Sequence, residues 1–413
     1  MAPHPQAADP GTEPAAPGPL HGIRVVDLSR FISGPYCAMM LGDMGAEVLK
    51  IEKPGSGEVA RSYAPTLGDT SLYSMVYNRN KKSVPIDVRH PEGQALLREL
   101  IAQADVVVEN FRPGTMEKMG CDWETLSRLN PRLIMARISG FGQTGPYAEL
   151  PCFDAIAQAM SGLMDLTGEP DGAPTISGTF MCDYVTANYA AIGILAALQG
   201  RERTGKGQVV DVSLLDSAVS MLMTAIPSRK LLGTRMTRRG NRDPYGPPTA
   251  SYQSADGEWI YIYAGTLFAR FAAAIGRPEL LQDPRFCSFE ARQKNGPAVE
   301  QIAIDWIGAR PAAEVLEVLR AAEVPCAKVV TIHDVIADPQ LKHREQIVEV
   351  EHPGIGPVPM QGVTVRLSDT PLSIRRAIPA LGEHSEEILA SWLGYSPEKT
   401  EALVRGKVIQ AQA

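Results

Sequence analysis

The chain has 413 residues, 44% of them hydrophobic and 21% charged, which is ample for a large buried core and for two or three domains. A formal net charge of −7 excludes a general binder of nucleic acid or of anionic membrane, since both need a basic footprint; a local basic pocket for a phosphorylated ligand stays open. The six cysteines (Cys37, Cys121, Cys152, Cys182, Cys287, Cys326) are scattered without C-x-x-C spacing, so buried thiols of a reducing compartment are expected rather than a zinc or redox site.

Residues 1–19 are rich in Pro, Ala and Gly and read as a disordered leader. Arg is absent there and acidic residues are present, which argues against mitochondrial targeting. With no secretory h-region and no apolar run judged long enough to span a bilayer, the expected compartment is the cytoplasm.

Order is expected from Leu20. Ile23–Leu28 is a short β-branched run, read as a buried parallel strand. Ser29–Cys37 reads as a polar, Gly/Pro break, Ala38–Gly45 as a helix and Glu47–Ile51 as a second strand. The alternation continues with a strand at Ser83–Val88 and a helix at Pro91–Gln103 with Pro in its first turn. Asp105–Glu109 is a strand, Trp123–Leu129 a helix, Leu133–Ile138 a strand. Tyr184–Gln199 is an Ala-rich helix, Arg201–Gln208 a turn and Val209–Leu214 a strand. Repeated strand–loop–helix units predict an α/β doubly wound parallel sheet, with ligands bound by loops beyond the carboxyl ends of the strands.

The character then changes. Pro227–Pro248 carries a run of Arg and Gly with few large apolar groups and reads as a linker or active-site loop. Tyr252 to about Ile332 is a smaller α/β segment with a strand at Trp259–Tyr263. The tail from Gly362 holds a strand-like V-T-V-R-L and a terminal helical stretch. The expected division is a leader (1–19), a large α/β domain (20–224), a small domain with its linker (225–330), and a return to the large domain (331–413).

Several chemistries lack their residues. There is no G-x-G-x-x-G after the first strand, no G-x-x-x-x-G-K-[ST], no G-x-S-x-G and no H-x-x-x-H pair. What remains is Asp and Glu at loop and helix starts, with basic residues near strand ends.

Nearly the whole ordered chain resembles the class III CoA-transferases, the family of formyl-CoA transferase and carnitine CoA-transferase. The resemblance is carried by L-H-G-I-R-V-V-D-L-S-R-F-I-S-G-P and L-G-D-M-G-A-E-V-L-K-I-E-K-P-G-S-G-E. It continues in N-R-N-K-K-S-V-P-I-D, A-D-V-V-V-E-N-F-R-P-G and S-G-F-G-Q-T-G-P, then in G-I-L-A-A-L, R-T-G-K-G-Q-V-V-D-V-S-L-L-D and a late L-G-E-H. Their order and separation make the combination specific. The resemblance implies a large Rossmann-like domain with a smaller α/β domain, and an interlocked homodimer. It implies acyl-CoA and a carboxylic acid as substrates, and no tightly bound cofactor or metal.

The family nucleophile corresponds to Asp183, just before the Ala-rich helix. Locally an aspartate there reads as a helix N-cap, and a helix start also keeps a carboxylate ionised. The resemblance further implies aspartyl anhydride and aspartyl-CoA thioester intermediates, formed where water is excluded. By position, Lys53, Arg89 and Lys118 correspond to basic CoA contacts, and Phe31, Ile86, Asn110, Phe111 and Met119 to adenine and pantetheine contacts. Arg79, Lys81 and Lys82 read equally as a CoA-facing cluster or a solvated charged turn. Arg30, Ile32, Phe153, Asp154, Arg239, Gly240 and Asn241 fall at the acyl pocket. The four-glycine run of formyl-CoA transferase is absent, leaving Gly240 and Asn241 in an Arg-rich loop. An Arg there could bind a second substrate carboxylate, which points to a dicarboxylate pair with succinyl-CoA as donor.

Two alternatives come with the resemblance. An α-methylacyl-CoA racemase needs a His directly before the aspartate at 154; this chain has Phe153, which moves no proton. A non-catalytic CoA-binding protein would leave Asp183 dispensable.

Overall fold

The computed structural model describes residues 17–243 and 246–412. Most of the expected leader, residues 1–16, lies outside the described residues. The chain divides into two units. The larger is formed by residues up to Ser161 with Gly178–Met221 and the tail from Gln340; the smaller by Gly162–Ser177 and Leu222–Pro339. The segment 162–177 was expected in the large domain, but it packs in the smaller unit, where Asp165 pairs with Arg235 and Arg238.

The larger unit is built on a six-stranded sheet: β1 (Arg24–Asp27), β2 (Glu47–Glu52), β3 (Lys81–Pro85), β4 (Val106–Glu109), β5 (Ile134–Ser139) and β6 (Val209–Ser213). All neighbouring pairs are parallel, in the order β3-β2-β1-β4-β5-β6. β4 and β5 are buried at every residue, as expected of strands covered on both faces. The chain reverses direction after β3 and re-enters beside β1. The carboxyl ends of β1 and β4 therefore flank a topological switch point, where open sheets bind ligands.

The helices of this unit include α1 (Ser33–Asp43), α2 (Pro91–Ala102), α3 (Trp123–Leu129), α4 (Asp154–Ser161), α5 (Met181–Thr204) and α6 (Leu214–Ser220). α2 starts as its sequence predicts, with Pro91 in the first turn and the His90 side chain accepting the Glu92 N–H. Asp122 caps α3 through the Thr125 N–H at 2.8 Å. α1 begins five residues before the expected Ala38. Its Ser-Gly-Pro start looked like a break, but Pro35 stands in the first turn, where an N–H has no helical partner to lose.

α5 spans 24 residues and extends beyond both expected ends, absorbing Arg201–Thr204. By length and composition it is apolar enough to cross a membrane, contrary to the sequence reading. In this fold it packs against α1, β5, β6 and α6, as a core helix does.

The tail returns to the larger unit. The hairpin β10 (Ile347–His352) and β11 (Gly356–Gln361) precedes helices at Ser385–Leu393 and Pro397–Arg405. Ile388, Leu389, Trp392, Val408 and Ile409 join Val26, Leu49, Leu97, Val107 and Met135 in one core. Each such side chain contributes about 1.5–3 kcal/mol on burial. V-T-V-R-L (363–367) forms no strand: Val365 and Leu367 are exposed, and the run has no pairing partner.

The smaller unit carries an antiparallel sheet of β7 (Thr249–Gln253), β8 (Trp259–Tyr263) and β9 (Cys326–Lys328), in the order β9-β8-β7. Its separate core gathers Ile260, Ile262, Phe271, Phe286, Val299, Ile307 and Leu319. The presumed linker Pro227–Pro248 begins inside a helix, Ala225–Leu232.

Candidate active site

The loop leaving β1 sets the frame. Asn110, just beyond β4, brackets the backbone of Arg30: its Oδ1 accepts the Arg30 N–H at 2.8 Å and its Nδ2 donates to the Arg30 carbonyl at 2.7 Å. Phe31 follows with φ of 65°, a left-handed conformation that is costly for an aromatic residue. Its ring meets Tyr63 at 6.1 Å and Phe153 edge-on at 5.5 Å. Ile32 is the residue before α1, and Ser33 is that helix's first residue.

Asp183 is the third residue of α5, so it is not the N-cap that its local sequence suggested. Phe180 holds the cap position and offers no side-chain acceptor. The cap comes from α4 instead: Asp154 Oδ1 accepts the Cys182 N–H at 2.7 Å and the Asp183 N–H at 3.3 Å. Its other oxygen accepts from Gln158 at 2.6 Å. Asp154 is 3% exposed. It holds the start of α5 in place and puts a negative charge beside Asp183.

Burial, followed by that charge, pushes the Asp183 carboxyl up from 3.8 to about 7, against hydrogen bonding from the Ser33 hydroxyl and backbone. The two neighbouring thiols do not compete as nucleophiles. Burial and then Asp183 push Cys152 up to about 11; burial and then Asp154 push Cys182 up to about 12. Tyrosines flank the same spot: the Tyr77 and Tyr184 hydroxyls are 2.6 Å apart, and Tyr36 packs edge-on against Tyr184 at 5.0 Å. Phe153 is 63% exposed.

A cleft of about 460 Å³ opens beyond the carboxyl ends of β1, β2, β3 and β4. Lys53 and Arg89 stand exposed on its rim, and Ile86, Phe111 and Met119 give it an apolar side. Arg30 lines it with its guanidinium 5.0 Å over the Phe111 ring. The Phe111 amide is held by Glu109 at 2.8 Å, and Glu109 by Arg137 at 2.7 Å. Cations on one rim and an apolar side suit a ligand with phosphates at one end and a ring and chain at the other. Of the expected CoA residues, Phe31, Asn110 and Lys118 do not line this cleft: Asn110 positions its wall, Phe31 faces Phe153, and Lys118 is exposed on the short helix Thr115–Lys118.

Both readings of the Arg79–Lys82 cluster fail. Arg79 is buried against Asp43 at 2.6 Å, Lys81 against Asp27 at 2.8 Å, and Lys82 pairs with Glu47 and Glu387. Arg79 and Lys81 are buried and Lys82 half-buried; all three are ion-paired between elements and none lines the cleft. Arg239, Gly240 and Asn241 lie in the smaller unit. Gly240, with φ of 61°, donates its N–H to the Gly168 carbonyl at 2.8 Å, and an added Cβ would lie 2.7 Å from the Glu169 carboxylate. Asn241 lines a cleft of about 590 Å³ with Tyr252 and Glu300; Arg239 lines one of about 490 Å³ with Arg238 and Arg242. Among the described residues no group of His, Cys, Asp and Glu could hold a metal ion.

Sequence reasoning missed Ser33, the three tyrosines and Lys50 of β2. Lys50 inside the apolar run E-V-L-K-I was the available signal, since a charge there must be paired.

Known proteins resemble this chain along most of its length. Residues 20–385 match the model of CoA-transferase family III. The chain is 40% identical over 396 residues to the succinyl-CoA–D-citramalate CoA-transferase of Chloroflexus aurantiacus, covering 95% of this chain and 98% of that one. It is 41% identical over 397 residues to the succinyl-CoA–L-malate CoA-transferase beta subunit of the same organism, with the same coverage. A crystal structure of a CAIB/BAIF family protein from Brucella suis superposes with a TM-score of 0.81 at 36% identity, covering 91% of this chain and 100% of that one.

Proposed function

The chain belongs to CoA-transferase family III, and from that premise we propose that it moves CoA from succinyl-CoA to a second dicarboxylic acid through covalent intermediates on Asp183. The observation that carries this reading is the Asp183 carboxylate itself. It is largely withdrawn from water and raised to about 7, at a helix start capped by Asp154 and hydrogen-bonded from Ser33.

An Asp183 oxygen attacks the thioester carbonyl carbon. The C–S bond breaks, giving an aspartyl–acyl anhydride and CoA thiolate. The thiolate attacks the aspartyl carbonyl, so the first acid leaves and an aspartyl-CoA thioester remains. The acceptor carboxylate attacks that thioester and frees the thiolate. The thiolate then takes the new acyl group and restores the Asp183 carboxylate. A raised pKa suits this chemistry: a more basic carboxylate is a better nucleophile, and its poor solvation keeps water from the anhydride. The Ser33 N–H at the start of α1 can stabilise the oxyanions that form beside it.

The dicarboxylate reading is supported by the substrates named for the two Chloroflexus relatives. We further propose a homodimer, interlocked as in the family. Ile156 and Met160 on α4, with Met181, Tyr189 and Ile192 on α5, leave a large apolar surface open. Light scattering of the purified protein should give twice the chain mass; a monomer would overturn the dimer. Six unpaired thiols fit a reducing cytoplasm.

Mass spectrometry of reactions containing succinyl-CoA and a panel of acids tests the substrate class. New acyl-CoA species are expected with dicarboxylates and not with the Asp183→Ala variant. Equal use of monocarboxylates would remove the dicarboxylate reading.

A further inference from the structure

Beneath the loop from β1 to α1 lies a set of charges that the transfer chemistry does not use. Asp27, Lys50 and Lys81 are each 0–1% exposed. Two ammonium groups share one carboxylate: Lys81 Nζ is 2.8 Å and Lys50 Nζ 3.3 Å from Asp27 Oδ2. Lys81 uses all three donors, on Asp27, on the Pro35 carbonyl at 2.9 Å and on Asn78 Oδ1 at 3.0 Å. Lys50 donates to the Ser29 carbonyl and faces Glu58 at 3.9 Å. The second Asp27 oxygen accepts the Ser29 N–H at 2.9 Å and the Ser29 hydroxyl.

Buried ion pairs are poor stabilisers, because apolar side chains of similar volume often serve a core better. Their use here is directional. The two carbonyls that the lysines grip, Ser29 and Pro35, bracket Arg30–Gly34. That segment contains Phe31 in its left-handed conformation, and Ser33. A backbone held in a costly conformation relaxes unless its surroundings fix it.

We propose that Lys50 and Lys81 are positioning residues for catalysis, clamping the two ends of this segment so that Ser33 at the start of α1 stays aimed at Asp183. The inference rests on Asp183 being the nucleophile. The groups that face Asp183 are Asp154 from α4, Cys152 from the preceding loop, Cys182 on α5, Tyr77 from the helix Leu72–Tyr77, and Ser33 from α1. Ser33 is the one among these that favours the charged carboxylate, and it is the one the clamp holds.

The test is the pH profile of acyl-CoA turnover by the full-length enzyme for Lys81→Met, Lys50→Met and the milder Asn78→Leu. Leu126→Ala, a core truncation away from the site, serves as a stability control. In the lysine variants the acid limb of kcat/KM should move up by about half a pH unit or more. Their kcat at pH 7 should fall about tenfold or more, with KM for acyl-CoA changing less than about threefold, because Lys53 and Arg89 lie outside the clamp and Arg30, within it, is also held by Asn110. Leu126→Ala should lose thermal stability without moving the limb. Folded lysine variants with the limb and kcat of the control overturn the proposal; if neither lysine variant folds, an unmoved limb in Asn78→Leu does so. Asp183→Asn is run alongside. Turnover by that variant means the nucleophile reading has failed; an inactive Asp183→Asn with an unmoved limb means the clamp alone has failed.

Discussion

A carboxylate held near pKa 7 carries a cost in stability that its removal should reveal. The folded Asp183 keeps its proton to about pH 7, whereas the unfolded chain releases it near 3.8. The unfolded state thus gains stability relative to the folded one as pH rises through that window. A raise of this size amounts to at most ~4 kcal/mol above pH 7, less for a partly exposed group. Asp183→Asn should therefore be more stable than wild type by about 1–3 kcal/mol at pH 8, and indistinguishable from it near pH 4. It should also lose roughly 10³-fold or more in transfer. Chemical denaturation at the two pH values checks the first expectation; destabilisation at pH 8 would mean that the carboxylate is well solvated.

Asp154 offers a second check at the same scale. An amide in place of this carboxylate keeps an oxygen for the Cys182 N–H but removes the charge that raises Asp183. Asp154→Asn should shift the acid limb of kcat/KM to lower pH. A limb that stays in place would mean that burial alone sets the Asp183 pKa.

At the scale of elements, the site is made by two helix starts and one strand end. The strands were readable because buried parallel strands are continuous β-branched runs, and I-R-V-V-D-L or D-V-V-V-E has few other readings. The start of α1 was not, because Ser-Gly-Pro is written the same way in a loop as in a first helical turn. The start of α5 was not either, because its cap, Asp154, lies 28 residues earlier in the chain and no local motif announces it. The Arg79–Lys82 run read equally as solvated or CoA-facing because burial of a charge depends on partners distant in sequence, Asp43 and Asp27.

One such pairing predicts a loss. Arg137 holds the fully buried Glu109, and Glu109 holds the Phe111 amide at the cleft. Arg137→Met strands that carboxylate and should lower stability by about 3–5 kcal/mol. CoA affinity should fall with it. Urea denaturation and calorimetry with CoA check both; an unchanged denaturation midpoint would show that Glu109 is satisfied without Arg137.

For the whole molecule, the tail completes the larger unit's core. Trp392 is buried there with its indole N–H on Glu47 at 3.0 Å. Trp392→Ala should cost about 3–5 kcal/mol, read as a fall in melting temperature. An unshifted transition would place the tail outside the cooperative unit. The expected two-domain pattern was visible as a change in composition near Pro227, but the allegiance of Gly162–Ser177 was not, because it rests on Asp165 meeting arginines some seventy residues later.

The central claim is that Asp183 carries the CoA between donor and acceptor. The most direct measurement is intact-protein mass spectrometry after mixing the enzyme with succinyl-CoA in the absence of acceptor, followed by mapping of the modified peptide. The account predicts an adduct of the mass of CoA less one water, on the peptide containing Asp183, which disappears when an acceptor acid is added and is absent from Asp183→Asn. A fully active enzyme that never carries this adduct, or carries it on another residue, would contradict it.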